Sequence, residues 1–257
     1  MADAFYVPLD DDRYRSTPAT EGPWSPQFQH GGPPTALLVH AIERIARTDG
    51  MLTRIAAEFT APVPVADLDT AVTVVRDGRN VQLLDAELLA DGRTVLRARA
   101  WWLRHTTLDL PATEAAAGKP PPLPDTAVSS PVGIDFGYAR AMEWRVAAGH
   151  ADQPGPATVW TRLRTAVVAG TEPSGVQRVV AAADSGSGIS AMLDWNRWSF
   201  LNVDLTVHLL RPPVDSWVCL DSRTELTPAG TGLATTTLSD GAGRIGTAAQ
   251  SLLVTPR

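Results

Sequence analysis

The chain has 257 residues, 44% of them hydrophobic, a globular composition with enough material for one large domain or two ordinary ones. Its 28 acidic and 22 basic residues give a net charge of −6, and no Lys/Arg cluster exists to release counterions from a nucleic-acid backbone, which argues against nucleic acid as a partner. A lone cysteine excludes an internal disulfide, and the apolar stretch Trp217-Val218-Cys219-Leu220 assigns Cys219 to a buried strand rather than to catalysis.

The segment from Met1 to Asp12 is acidic and lacks the basic start and apolar run of a signal peptide, and no stretch of 18 apolar residues follows anywhere. A soluble, cytoplasmic protein is expected. Pro33 and Pro34 suit the first turn of a helix, and Leu37, Leu38, Ala41, Ile42 and Ile45 recur at helical spacing, with an end near Asp49-Gly50. Hairpin signals follow at Asp77-Gly78 and Asp91-Gly92. Next, Leu96, Ala98, Ala100 and Trp102 alternate with Arg97, Arg99 and Trp101, the pattern of a half-buried antiparallel strand. Residues 111–131 are rich in Pro, Ala and Ser and read as a linker between halves 1–110 and 132–257. In the second half, Leu201, Val203, Leu205, Val207 and Leu209 alternate with Asn202, Asp204, Thr206 and His208, and Asp240-Gly241 marks another hairpin.

Sliding the chain on itself by 150 residues aligns the halves: 53–64 meets 203–214, Pro62 falls on Pro212, and Val95 falls on Ile245. One gap brings the Asp91-Gly92 and Asp240-Gly241 turns into line. A long helix on an antiparallel sheet, occurring twice and joined edge to edge, gives an α+β fold of the double hotdog type.

The repeat also nominates site residues. At an offset of 150, Asp184 falls on Pro34, Asn202 on Leu52 and Gln250 on Ala100, so all three positions are polar only in the second copy. Gln250 has Gly246, Ala248, Leu252 and Val254 on its strand face, so its amide needs partners, whether backbone groups or a site. Asp184 precedes Ser185-Gly186-Ser187-Gly188 at an expected helix start, where it either caps backbone N–H groups or serves as a general base with its pKa raised in a partly apolar cleft. Asn202 shares its expected face with Asp204, Thr206 and His208, which is also the reading of a solvated face. Gly31 and Gly32 permit close backbone approach, and N–H groups at the helix start could receive an oxyanion; a tight turn would equally require them. His30 is a base or a loop hydrogen-bonder. Trp195, Trp198 and Phe200 are core or acyl-channel residues. Arg211 is a phosphate ligand or an ordinary surface charge.

Several chemistries are disfavoured: no Gly-x-Ser-x-Gly elbow, phosphate loop, His-Glu-x-x-His or CxxC pair occurs, and the five histidines are scattered, so neither a metal nor another cofactor is expected.

The segment Gln29-His30-Gly31-Gly32-Pro33-Pro34-Thr35-Ala36-Leu37-Leu38 resembles the Gly-Gly start of the first helix in the acyl-CoA thioesterase II family. Residues Val180 to Val254 resemble that family's second hotdog, with an Asp at the second helix, an Arg-Pro after a central strand and a Gln in the last strand. The resemblance implies hydrolysis of an acyl-CoA thioester without a covalent nucleophile, Asp184 and Gln250 taking the Asp and Gln roles and Asn202 standing where the family has Thr or Ser. It leaves two alternatives: a non-catalytic acyl-CoA or lipid-binding protein, which Asn202 would favour, and an acyl-thioester hydratase or dehydratase, which the lack of a His following Asp184 disfavours. Fused hotdogs present sheet edges and faces that can pair, so a homodimer is expected.

Overall fold

A helix that is apolar on all sides must be buried on all sides. The segment after Gly31 comes close to that condition: Gly32 to Val39 of α1 (Gly32–Ile45) are all buried, with Ala36, Leu37, Leu38, Val39 and Ile42 each 0% exposed, and only its C-terminal end reaches solvent. Pro33 and Pro34 occupy its first turn, where a missing N–H costs nothing. Each buried Leu or Ile contributes about 1.5–3 kcal/mol. α1 stops at Ile45, short of the expected Asp49-Gly50, because Ala46 turns to extended backbone and Gly50 already opens a strand.

The computed structural model describes residues 3–109, 119–150 and 153–257. Around α1 the first half places β1 (Ala4–Pro8), β2 (Arg13–Ser16), β3 (Gly50–Phe59), β4 (Asp67–Asp77), β5 (Val81–Ala90) and β6 (Arg93–Arg104). The second half adds α2 (Gly137–Ala141), β7 (Met142–His150), β8 (Gln153–Leu163), β9 (Ala166–Val168), α3 (Gly175–Ala183), α4 (Gly186–Ile189), β10 (Trp198–Asn202), β11 (Asp204–Leu209), β12 (Val218–Leu226), β13 (Thr231–Asp240) and β14 (Gly243–Pro256). β5 opens at Val81 and β13 at Thr231, β6 at Arg93 and β14 at Gly243, each pair 150 residues apart. The duplication is therefore structural, and the fold is a double hotdog.

Among the described residues the strands form one 14-stranded sheet in the order β7-β8-β12-β13-β14-β11-β3-β6-β5-β4-β2-β1-β9, with β10 also on β14. The copies join where β11 pairs antiparallel with β3, Val207 opposite Ile55, so two open edges close on each other. The alternation read for β6 holds, Leu96, Ala98, Ala100 and Trp102 facing inward. Hairpins close at all three expected places; at Asp91-Gly92 the φ angles of 47° and 73° are those of the twisted two-residue turn.

The halves are interleaved. β9 leaves the second half to pair in parallel with β1 at the edge of the first. Of the expected linker, 111–118 lies outside the described residues. Beyond it the chain lies along β7 and β8: Arg145 Nη1 donates to the Pro124 carbonyl at 2.8 Å, Trp160 Nε1 donates to that of Pro121 at 3.1 Å, and Val128 bridges to Trp144.

α1 and α3 cross in close contact on the inner face of the sheet. A Cβ added to Gly32 would stand 2.3 Å from the Ala181 carbonyl oxygen, so the crossing exists only because residue 32 has no side chain. The obstacle is backbone. Gly32→Ala is expected to cost about 2 kcal/mol through overpacking, measured as a lower urea midpoint with an unchanged slope.

Candidate active site

α3 starts cleanly, Ser174 Oγ accepting the Gln177 N–H at 3.1 Å, and buries Val179, Val180, Ala181 and Ala183 against the core. It ends at Asp184, which has helical angles (φ −64°, ψ −15°) but begins a break before the four-residue α4. Asp184 is thus at the C-terminal end of a helix, not at the expected start. Its carboxylate accordingly caps no N-terminal N–H groups and reaches sideways into the protein, with a side chain only 2% exposed.

Three side chains meet it there. Asn202 Nδ2 donates to Oδ1 at 2.8 Å, Gln250 Nε2 donates to Oδ1 at 3.2 Å, and His30 Nδ1 lies 3.1 Å from Oδ2. Gln250 also donates to the Asp184 carbonyl at 3.0 Å and accepts the Ser187 N–H at 3.0 Å. Both ends of this buried amide are satisfied, and both serve to fix the break between α3 and α4.

Asn202 arrives by a route that strict alternation hides. The chain between β10 and β11 is broken at Val203, whose N–H donates to the Ser251 carbonyl at 3.0 Å and whose carbonyl accepts from Phe59. The break reverses the facing of side chains. Leu205, Val207 and Leu209 point inward as expected, but upstream Phe200 is buried while Leu201 and Val203 are 41% and 48% exposed. Asn202 therefore leaves the face of Thr206 and His208 and turns to Asp184, its NH2 also donating to the Asp204 carbonyl at 3.2 Å.

From the first copy come His30, Gly31 and Gly32. A Cβ on Gly31 would lie 2.8 and 3.0 Å from the two Asp184 oxygens and 2.6 Å from Phe59, so glycine here is what lets the carboxylate come in. The proposed oxyanion role of the helix start is narrowed: Pro33 and Pro34 carry no N–H, and the Gly32 N–H points at His30 Nδ1 at 3.2 Å. The start of α1 offers at most the Gly31 N–H.

His30 stacks face to face on Tyr138, centroids 3.9 Å apart and planes 6° apart. Burial holds its imidazole below the ordinary value while the Asp184 charge pulls the other way. Tyr138 O–H donates to the Ala181 carbonyl at 2.7 Å and shares a 2.9 Å hydrogen bond with Ser185 Oγ; burial holds the phenol far above its ordinary value. Beside this stack is a small, partly open cavity of about 30 Å³ walled by His30, Phe136, Tyr138, Trp144, Ile189 and Trp195, among others. Trp195 is thus cavity wall, and with Phe200 and Trp24 it forms an aromatic cluster at centroid distances of 4.6–5.2 Å. Tyr138, Phe136 and Trp24 escaped sequence reading because isolated aromatics in loops or one-turn helices carry no periodic signal. Among the described residues, no group of three or more His, Cys, Asp or Glu is placed to hold a metal ion.

The family model of the acyl-CoA thioesterase C-terminal domain matches residues 111–254, more than half of the chain, and that of the acyl-CoA thioesterase N-terminal domain matches residues 20–103. The chain belongs to the acyl-CoA thioesterase family. No curated protein matches it. Solved structures share its fold over nearly the whole length. A conserved hot dog fold protein from Alicyclobacillus acidocaldarius is 18% identical with a TM-score of 0.77, covering 98% of this chain and 97% of its own. A protein from Novosphingobium aromaticivorans is 24% identical with a TM-score of 0.73 (97% and 98% covered), and acyl-CoA thioesterase II TesB2 from Mycobacterium marinum is 14% identical with a TM-score of 0.68 (98% and 95%).

Arg211 stands apart from the Asp184 cluster of this thioesterase. Its guanidinium forks onto Asp240, which is 0% exposed, at 2.5 and 2.8 Å, and also reaches the Gly243 carbonyl at 3.0 Å. The phosphate role read for it gives way to this structural ion pair. Cys219 is 1% exposed, and burial, helped by the Asp221 charge, pushes its thiol up to about 12, the setting of an inert core residue. Burial would raise the Asp240 carboxyl, but hydrogen bonds from Arg211 and from the Val214 and Ala242 N–H groups outweigh it and hold the group below the usual range. A depressed carboxylate stabilises the fold above its unfolded pKa and loses that contribution as pH falls through the folded one. Arg211→Met is therefore expected to cost about 3 kcal/mol at neutral pH with KM for thioester unchanged, and the deficit should shrink in acid. Urea melts at pH 7 and pH 3 check it.

Proposed function

We propose that this thioesterase hydrolyses acyl-CoA thioesters by direct attack of water, with Asp184 as the source of basicity and no covalent intermediate. The observation that carries the reading is the buried Asp184 carboxylate, held by amide donors on Oδ1 and by His30 at Oδ2, next to a small aromatic-walled cavity. A carboxylate fixed on both oxygens cannot swing away to solvent. Gln250 and Asn202 hold the carboxylate in one orientation. The acyl group lies along the aromatic surfaces of Phe136, Tyr138, Trp144 and Trp195, which suit a hydrocarbon chain.

Asn202 in place of a hydroxyl residue fits this arrangement. An amide supplies two hydrogens, one for Asp184 and one for the Asp204 carbonyl, where a hydroxyl has only one.

The reading is tested by thiol release from short, medium, long and aromatic acyl-CoAs. The wild-type protein is expected to turn over part of the panel, and Asp184→Ala is expected to lose roughly 10²–10⁴-fold in kcat. Silence of the wild type across the panel, or full activity of Asp184→Ala, would overturn it.

A further inference from the structure

Asp184 stands behind the cavity rather than in its wall. The polar side chains bordering the cavity are His30, Tyr138 and Ser185. Tyr138 is kept protonated by burial, and its hydroxyl is turned to the Ala181 carbonyl and Ser185, so neither hydroxyl is a base at neutral pH. His30 is the group of the wall that can accept a proton. The titratable groups facing it are Asp184 at the end of α3 and Tyr138 in α2.

The contacts of Nδ1 define its tautomer. This nitrogen holds either one hydrogen or one lone pair, yet it faces an acceptor, Asp184 Oδ2 at 3.1 Å, and a donor, the Gly32 N–H at 3.2 Å. A hydrogen bond to a carboxylate is the stronger of the two. Nδ1–H therefore donates to Asp184, and Nε2 carries the lone pair. With Nδ1 turned to Asp184, Nε2 is the nitrogen the ring offers to the cavity, whose volume of about 30 Å³ accommodates a water molecule.

We propose that His30 Nε2 takes the proton from the attacking water, and that Asp184 acts through it by fixing the tautomer and stabilising the imidazolium. This rests on the hydrolytic reading above. The water oxygen forms a bond to the thioester carbonyl carbon while its proton passes to Nε2. Collapse of the tetrahedral species breaks the C–S bond, the electron pair leaves with sulfur, and Nε2–H returns the proton to give the free thiol. The acid product gives its own proton to solvent, and the imidazole is neutral again. The developing imidazolium forms beside a carboxylate, so the pair gains no net charge in a buried place. The stack on Tyr138 keeps the ring plane from turning.

His30→Ala and His30→Gln are compared with the wild type on the best acyl-CoA of the panel, with added imidazole and substituted imidazoles of graded pKa. Expected is a kcat loss of roughly 10²–10⁴-fold in both variants, and recovery in His30→Ala by imidazole, the recovered rate following the base strength of the added compound. Asp184→Ala should show no such recovery. Thermal melts establish that both variants fold, and His30→Gln, which keeps a hydrogen-bonding side chain, stands in if His30→Ala does not. Activity of His30→Gln within threefold of wild type overturns the proposal while leaving hydrolysis at Asp184 intact. So does a loss that imidazole does not restore in folded His30→Ala. An inert wild type overturns both readings.

Discussion

Burying a carboxylate costs several kcal/mol unless hydrogen bonds and charge replace its water. Asp184, 3% exposed, sets that requirement for the whole molecule. Its donors come from β10, from β14 and from the segment before α1, and the space beside it exists because Gly31 has no Cβ. One half of the chain cannot meet the requirement. The β11–β3 pairing and the α1–α3 crossing bring the copies into register, and the crossing in turn depends on Gly32 passing the Ala181 carbonyl. The site is a property of the fused pair.

The duplication leaves the two interiors chemically unequal. Val72, Ala86 and Ala100 in the first copy correspond at the 150-residue offset to Ser222, Thr236 and Gln250 in the second. Ser222 and Thr236 share a 2.8 Å hydrogen bond beneath the short α4, and Ser190, which caps the end of α4, shares another of 2.8 Å with Thr224. A Cβ on Gly186 would be 2.5 Å from Thr236 Oγ1 and 3.1 Å from Gln250 Oε1, so this polar layer is packed directly against the helix break that presents Asp184. Buried polar networks specify a geometry more than they stabilise it. The first copy, with α1 buried along most of its length, supplies cohesion, and the second uses polar contacts to place a charge.

The fold was legible because its signals are local. Hairpin dipeptides, period-two alternation and a 150-residue repeat survive in a single chain without any tertiary information, and Gln250 showed itself as a polar residue where the other copy has Ala100. The site was legible in its members more than in their arrangement. Unbroken alternation puts the candidate Asn202 on the face of Asp204, Thr206 and His208, which reads equally as solvated, and the single irregular residue Val203 flips it inward. Asp184 was placed at a helix start because Ser-Gly-Ser-Gly looks like a cap; the same residues instead end one helix and begin a single turn. The meeting of His30 with Asp184 joins the beginning of one copy to the middle of the other. Arg211 after a strand reads the same whether it faces solvent or forks onto a buried Asp240.

The residues around Asp184 also explain why its environment is arranged as neutral layers rather than as a salt bridge. A lysine or arginine in place of His30 would bind the carboxylate permanently and could not exchange a proton near neutrality. Amide donors on one oxygen and an imidazole on the other stabilise the charge without adding a fixed charge of opposite sign. Tyr138 completes the arrangement without adding charge: it covers one ring face of His30 at 3.9 Å and fastens its own hydroxyl to the α3 backbone. The ring position thereby follows the same helix whose end carries Asp184. Both partners of the His30–Asp184 contact are thus tied to α3, one through Tyr138 and one through the helix end itself.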